Sequence, residues 1–239
     1  MDSVLDIGYG SGTWALAMAK ELPGSQVVAA DITPPDINAF TASGVEVPSN
    51  LTVVKANAEE AWPFKQHLTY IHARMLISAI SDWQTLLQRC WDHLQPGGWL
   101  ELNEVVTPYR AESPTFDNRS SPFIEWGHLI NESWASEGLD FTTTAKQVQR
   151  LEQLGFVNAR EERMRWPVGE WADTEIERHI GAMTLQNHAI HFTTNGPRIL
   201  AKSPNLKKHE AEIKTSNAHD DIMSNSAAKR YFLTVQVLN

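Results

Sequence analysis

The stretch Asp6-Ile7-Gly8-Tyr9-Gly10-Ser11-Gly12-Thr13 decides the fold. It follows a short apolar run at 4–7. It precedes residues 14–22, which read as a helix stopped by Pro23-Gly24. Alternate glycines between a strand and a helix permit a tight turn and let backbone approach a ligand with no Cβ in the way. The helix start then offers free N–H groups to anionic or polar ligand atoms. A dinucleotide fingerprint needs G-x-G-x-x-G. Starting that pattern at Gly8 or at Gly10 puts Thr13 or Ala15 where its last glycine belongs.

Working outward, residues 26–32, 51–56, 68–73 and 99–105 read as further strands. Ser81 or Asp82 caps a helix running to about Leu94, and Gln95-Pro96-Gly97-Gly98 ends it. Strands alternating with helices predict an α/β fold with a mostly parallel, doubly wound sheet and helices on both faces. The rhythm breaks at 107–144, rich in Ser, Thr, Pro and Trp, which reads as an insertion. Residues 145–154 are amphipathic and end at Gly155, and 156–162 read as a sixth strand. A second long polar stretch with helices covers 163–228, of which 202–222 reads as mobile. Residues 230–238 close the chain as a seventh strand. Residues 1–239 thus read as one domain with cap-like insertions at about 107–144 and 163–228.

An acid followed by G-x-G-x-G resembles motif I of the class I S-adenosylmethionine-dependent methyltransferases. In that family the loop wraps the amino-acid end of the cofactor, and the acid helps orient its ammonium. The resemblance assigns Asp6, Gly8, Gly10, Gly12 and Thr13 to the cofactor. A nicotinamide site and a glycine turn without a ligand stand beside that reading. Asp31 lies about twenty residues past the loop, the position of the ribose-binding acid. A carboxylate there accepts from two vicinal hydroxyls, and Ile32 next to it packs on the adenine.

Asn57 and Ala58 follow the third strand, where the family places an acid for the adenine amine. Asn57 keeps a carbonyl acceptor, and an ordinary loop asparagine is the equal reading. Tyr70, His72 and Arg74 share one strand face. Arg74 is a candidate for the methionine carboxylate or a substrate acid, whereas His72 reads as strand packing. Glu101 and Glu104, three apart, fall on opposite faces, so they form no carboxylate pair. Glu104, nearer the strand's carboxyl end, is placed to touch substrate.

Five segments carry a closer resemblance. They are VLDIGYGSGTWAL (4–16), AEEAWPF (58–64), YIHARMLISAISDW (70–83), LQPGGWLELNEV (94–105) and LEQLGFVNAREERMRWPVGEW (151–171). In this order they resemble the LaeA-like (TAM-domain) fungal methyltransferases. The resemblance implies a Rossmann-like class I fold of seven strands, with an antiparallel last strand inserted between the fifth and sixth. It also implies S-adenosylmethionine as cofactor, and either a small-molecule acceptor in fungal secondary metabolism or a regulatory role through protein partners. The family's helical segment before the first strand has no counterpart in this chain.

Composition bounds the remaining choices. A hydrophobic fraction of 42% with nine Trp and eight Phe supports a large core rather than disorder. A net charge of −9 disfavours general binding to a phosphate backbone, and Lys207-Lys208-His209 is too short a basic run to change that. The single cysteine, Cys90, forms no internal disulfide and suits a cytoplasmic or nuclear protein. Neither a signal peptide nor a membrane span is visible, and no metal site is expected.

Methyl transfer from a sulfonium asks mainly for proximity and orientation. A base is needed only for a protonated acceptor. His128 is the weak candidate for that role, with Trp126 and Trp134 in the same insertion as candidate pocket walls or core.

Overall fold

The computed structural model describes residues 2–34, 44–64, 67–112 and 121–238. Its strands form one seven-stranded sheet. They are β1 (Ser3–Ile7), β2 (Gln26–Asp31), β3 (Leu51–Lys55), β4 (Leu68–Arg74), β5 (Leu94–Ala111), β6 (Glu161–Pro167) and β7 (Tyr231–Leu238), in the order β3-β2-β1-β4-β5-β7-β6. The β1–β2, β2–β3, β1–β4 and β4–β5 pairs are parallel. The last strand is antiparallel and lies between the fifth and sixth, as the resemblance implies.

The chain divides into two compact units. The first comprises 1–104, 146–162 and 237–239. Its central strands are almost wholly apolar because both faces are covered. Leu5, Ile7, Val28 and Ala30 face a core closed by Leu86, Leu87 and Cys90 of α2 (Trp83–His93) and Leu151 of α4 (Gln147–Leu154). The alternate residues Val4, Val27 and Ala29 face Ala15, Leu16 and Ala19 of α1 (Thr13–Glu21). Period-two alternation therefore sorts one apolar run into two cores. Asp82 caps α2, its side chain accepting from the Thr85 N–H at 3.0 Å.

The second unit comprises 105–145 and 163–236. It holds α3 (Pro122–Ser136), α5 (Glu175–Thr194), α6 (Gly196–Leu200) and α7 (Lys208–Lys229). Phe123, Trp126, Phe192, Leu200, Ile222 and Tyr231 make its core. A buried polar knot ties α3 to α7 and β7. Asp221 Oδ2 accepts from Tyr231 Oη at 2.6 Å and from Ser121 Oγ at 2.9 Å, and Lys229 Nζ lies 2.7 Å from Oδ1.

Four sequence expectations are corrected. The fifth strand, expected over 99–105, runs from Leu94 to Ala111. Its pairing jumps from Leu68↔Leu94 to Tyr70↔Trp99, so an irregularity absorbs the Pro-Gly-Gly that reads as a break. The insertion expected from 107 thus opens as strand, and residues 113–120 within it lie outside the described residues. The sixth strand begins at Glu161 rather than 156. Phe156 instead closes the end of α4, its N–H donating to Leu151 O at 3.0 Å beyond a left-handed Gly155. The segment 202–222, read as polar and mobile, carries the start of α7, which buries Ala211, Thr215, Ala218 and Ile222. Those residues are small or isolated, so the helix's apolar face was hidden in a polar composition.

Candidate cofactor site

The site is built on the carboxyl ends of β1 to β4, where open α/β sheets bind ligands. The glycine loop leaves β1 with Gly8, Gly10 and Gly12 all at positive φ, +68°, +55° and +77°. Each L side chain would be strained there. Gly8 has a second constraint, since a Cβ would sit 2.3 Å from Leu76 Cδ2. At Gly10 a Cβ would meet nothing closer than Gly8 O at 4.0 Å among the described residues. Gly12 is the N-cap of α1 and supplies no side-chain cap, leaving the first-turn N–H groups available. Thr13 opens the helix, its Oγ1 3.0 Å from Ser11 Oγ.

Asp31, at the end of β2, locks the loop. Its Oδ2 accepts from Gly10 N–H at 3.1 Å and its Oδ1 from Thr33 N–H at 2.9 Å. Each oxygen keeps a lone pair for a further donor. A cavity of about 120 Å³ opens beside it, lined among others by Gly8, Asp31, Ile32, Asn57, Ala58 and Leu76. Ile32 is 59% exposed, an apolar side chain offered to solvent at the cavity. The structure therefore brings Gly8, Asp31, Ile32, Asn57 and Ala58 to one pocket.

Asn57 is partly committed. Its Oδ1 accepts from Glu59 N–H at 3.0 Å, and its Nδ2 donates to Glu60 Oε1 at 3.2 Å. Tyr9 points into the core around α1 rather than into the pocket. Burial, with Asp31 and Asp6 nearby, pushes its hydroxyl up to about 12.

Asp6 is buried in β1 beside His72 of β4. His72 Nδ1 lies 2.8 Å from Asp6 Oδ1, while Asp6 Oδ2 is buried with no hydrogen-bond partner among the described residues. The imidazole stacks on Trp14 at 3.9 Å between centroids and 7° between planes. Tyr70, on the same strand face, stacks on Trp14 at 6.3 Å and donates to Glu101 Oε2 at 2.6 Å. Burial and that bond hold the Tyr70 hydroxyl protonated well above its ordinary range. Arg74 ends β4 with its side chain exposed.

Glu104 corrects an expectation. It does not face a substrate; it is buried and accepts from Leu76 N–H at 2.8 Å and Ile77 N–H at 3.0 Å. It thereby fixes the turn whose Leu76 packs over Gly8. Burial pushes its carboxyl up to about 8, against the pull of those two N–H bonds. The folded chain thus holds this proton to higher pH than the unfolded chain. The stabilisation is complete below the ordinary glutamate value of 4.5 and is lost as pH rises towards 8. Urea midpoints of the wild type should fall between about pH 5 and pH 8, and Glu104→Gln should flatten that slope. An equal slope in both proteins would sink the assignment.

The acceptor candidates lie in the second unit. His128 is exposed on α3. Trp126 is core, 1% exposed, with its Nε1 donating to Thr215 Oγ1 at 3.2 Å. Trp134 is half-buried and stacks on Phe141. His188, missed in the sequence, packs edge-on to Tyr109 and Phe123, and burial pushes its imidazole down to about 4. Among the described residues no cluster of His, Cys, Asp and Glu is arranged to hold a metal.

The donor set fits S-adenosylmethionine. Asp31 offers acceptors for a ribose diol, Ile32 an apolar platform and Gly10 a backbone face with no described side chain over it. Fold and site together define an S-adenosylmethionine-dependent methyltransferase of the Rossmann-like class I type. The chain belongs to the methyltransferase-domain family, which it matches over residues 2–161.

It is 26% identical to the probable methyltransferase tdiE of Emericella nidulans, over 94% of this chain and 68% of that protein. It is 28% identical to the methyltransferase pytC of Aspergillus terreus, over 77% of this chain but only 55% of pytC. It is 27% identical to the secondary metabolism regulator LAE1 of Pyricularia oryzae, over 91% of this chain and 68% of LAE1. In fold it matches phosphoethanolamine N-methyltransferase 2 of Haemonchus contortus in complex with S-adenosylhomocysteine, with TM-score 0.56 at 17% identity, over 99% of this chain and 48% of that one.

Proposed function

We propose that the chain transfers the methyl group of S-adenosylmethionine to a small secondary-metabolite acceptor. The observation that carries the reading is the pocket at the end of β2. There Asp31 both locks the glycine loop and faces the cavity with spare acceptor capacity. The cofactor supplies an activated methyl carbon. The loop and Asp31 orient it, and orientation is most of what this displacement requires. The names of tdiE and pytC support methyl transfer. The acceptor class rests on the LaeA-like resemblance and on a net charge of −9, which disfavours a nucleic-acid acceptor. We read the chain as one methyltransferase domain with cap-like insertions at about 107–144 and 163–228.

The name of LAE1 favours a second reading, a regulator that keeps the cofactor site and works through a protein partner. No helix among the described residues is long and apolar enough to cross a membrane, and neither reading needs one. Calorimetric titration with S-adenosylmethionine, with NADPH in competition, tests the shared premise. Binding near 1–100 μM, about −5.5 to −8 kcal/mol, is expected, undisturbed by NADPH. Turnover on a panel of hydroxylated and amine metabolites would then favour the enzyme, and binding without turnover the regulator. Absence of binding would overturn both.

A further inference from the structure

Helix α5 is seated by one face and exposed on another. Gly181, Thr184 and Phe192 are its buried positions. A Cβ at Gly181 would overlap Gly169 O, and Gly169 N–H donates to Gly181 O at 2.9 Å, so the inner face is fixed. The outer face carries Ile176, Met183 and Ile190, exposed by 75%, 54% and 53%. Single exposed apolar residues are ordinary on a protein surface. Three at a spacing of seven form a stripe, because that spacing returns to the same side of a helix within about 20° per step.

The stripe is symmetric about Met183, with an isoleucine seven residues to either side. A two-fold axis through Met183 lays it on its own copy, as an isologous contact requires. In an antiparallel pair Met183 meets itself, and Ile190 of each copy stands level with Ile176 of the other. Ile176 lines a shallow surface depression of about 510 Å³ with Glu170, His179 and Ile180, which seats the incoming isoleucine. Charge selects the direction. Glu170, Asp173, Glu175 and Glu177 lie at or just before the start of the helix, whereas residues 178–209 contain no acid and include Arg178, Arg198 and Lys202. A parallel pair would set the acidic starts against each other. An antiparallel pair sets each against an acid-free end.

We propose that the chain forms a two-fold homodimer through antiparallel α5 helices centred on Met183. The inference is independent of the cofactor reading. The contact is one helix of 20 residues, about 30 Å long. It stands at the small end of specific interfaces, so the dimer dissociates at concentrations on the order of 10 μM.

Sedimentation equilibrium of the full chain from about 1 to 300 μM should show the wild type pass from monomer to dimer mass. Met183→Asp places two carboxylates on the axis and should raise the dissociation constant by about 100-fold or more. The melting temperature of the dilute protein should stay at the wild-type value, because the position is on the surface. Cysteine pairing reads the direction. Cys90 is buried, so an introduced surface thiol reacts alone. Met183→Cys should cross-link to its own copy under mild oxidation. Ile176→Cys alone should not, since antiparallel helices hold its two copies about 21 Å apart, beyond disulfide reach. A mixture of Ile176→Cys and Ile190→Cys should cross-link.

A wild type that stays monomeric over the whole range would overturn the proposal and leave the stripe to a different protein. A dimer that survives Met183→Asp unchanged, or that fails to cross-link through Met183→Cys, would overturn it by placing the contact elsewhere. Cross-linking by Ile176→Cys alone would overturn it in favour of a parallel pair.

Discussion

Asp31→Ala is expected to weaken S-adenosylmethionine binding by about 100-fold. Two hydrogen bonds from a ribose diol to a charged acceptor are worth about 3 kcal/mol or more together. The same substitution removes the acceptor that holds Gly10 N–H at 3.1 Å. The loop therefore loses its lock as well as the ligand its partner. Asp31→Asn keeps one carbonyl acceptor and should lose less. Calorimetry with each variant checks the order. Because Asp31 is partly exposed at the strand end, the melting temperature should change little. Wild-type affinity in Asp31→Ala would remove the ribose from this pocket.

The second large effect separates two glycines that look alike in the sequence. Gly8→Val should destabilise the fold by about 2–5 kcal/mol. Positive φ costs an L residue about 1–2 kcal/mol, and the overlap with Leu76 adds about 1–3. For a chain of this length that lowers the melting temperature by about 5–15 °C. Gly10→Val carries the backbone strain alone, since among the described residues nothing stands nearer than 4.0 Å to its Cβ. It should remain folded and lose cofactor binding, because its side chain fills the space the ligand approaches. Thermal melts and calorimetry on both variants check this. A Gly10→Val protein that binds like the wild type would show that the ligand does not lie over the loop.

Much of the site was legible because its constraints are local. An acid, alternate glycines and a helix start fall within eight residues, and the acid of β2 follows at a fixed spacing. Chain connectivity alone carries Gly8 and Asp31 to adjacent strand ends. Asn57 was legible as a position but not as a chemistry, because its carbonyl is shared with the backbone N–H of Glu59. Glu104 was misplaced for a different reason. Its partners, Leu76 and Ile77, are 28 and 27 residues away and are backbone donors, which no side-chain pattern reveals. His72 and Asp6 are 66 residues apart and meet only through the β1–β4 register.

The same division runs through the fold. The sequence by itself determined the parallel strands, the helix after the loop and the left-handed stop at Gly155, since each follows from periodicity or from a residue's own backbone freedom. Only the tertiary structure decided where β5 and β6 begin and end. Strand limits depend on which backbone groups find partners across the sheet, and Phe156 was drawn instead into closing α4. It alone decided that 208–222 is helix, because small residues such as Ala211 and Ala218 become a core face only when another helix packs against them. It also decided that Asp6 Oδ2 is buried with no hydrogen-bond partner among the described residues.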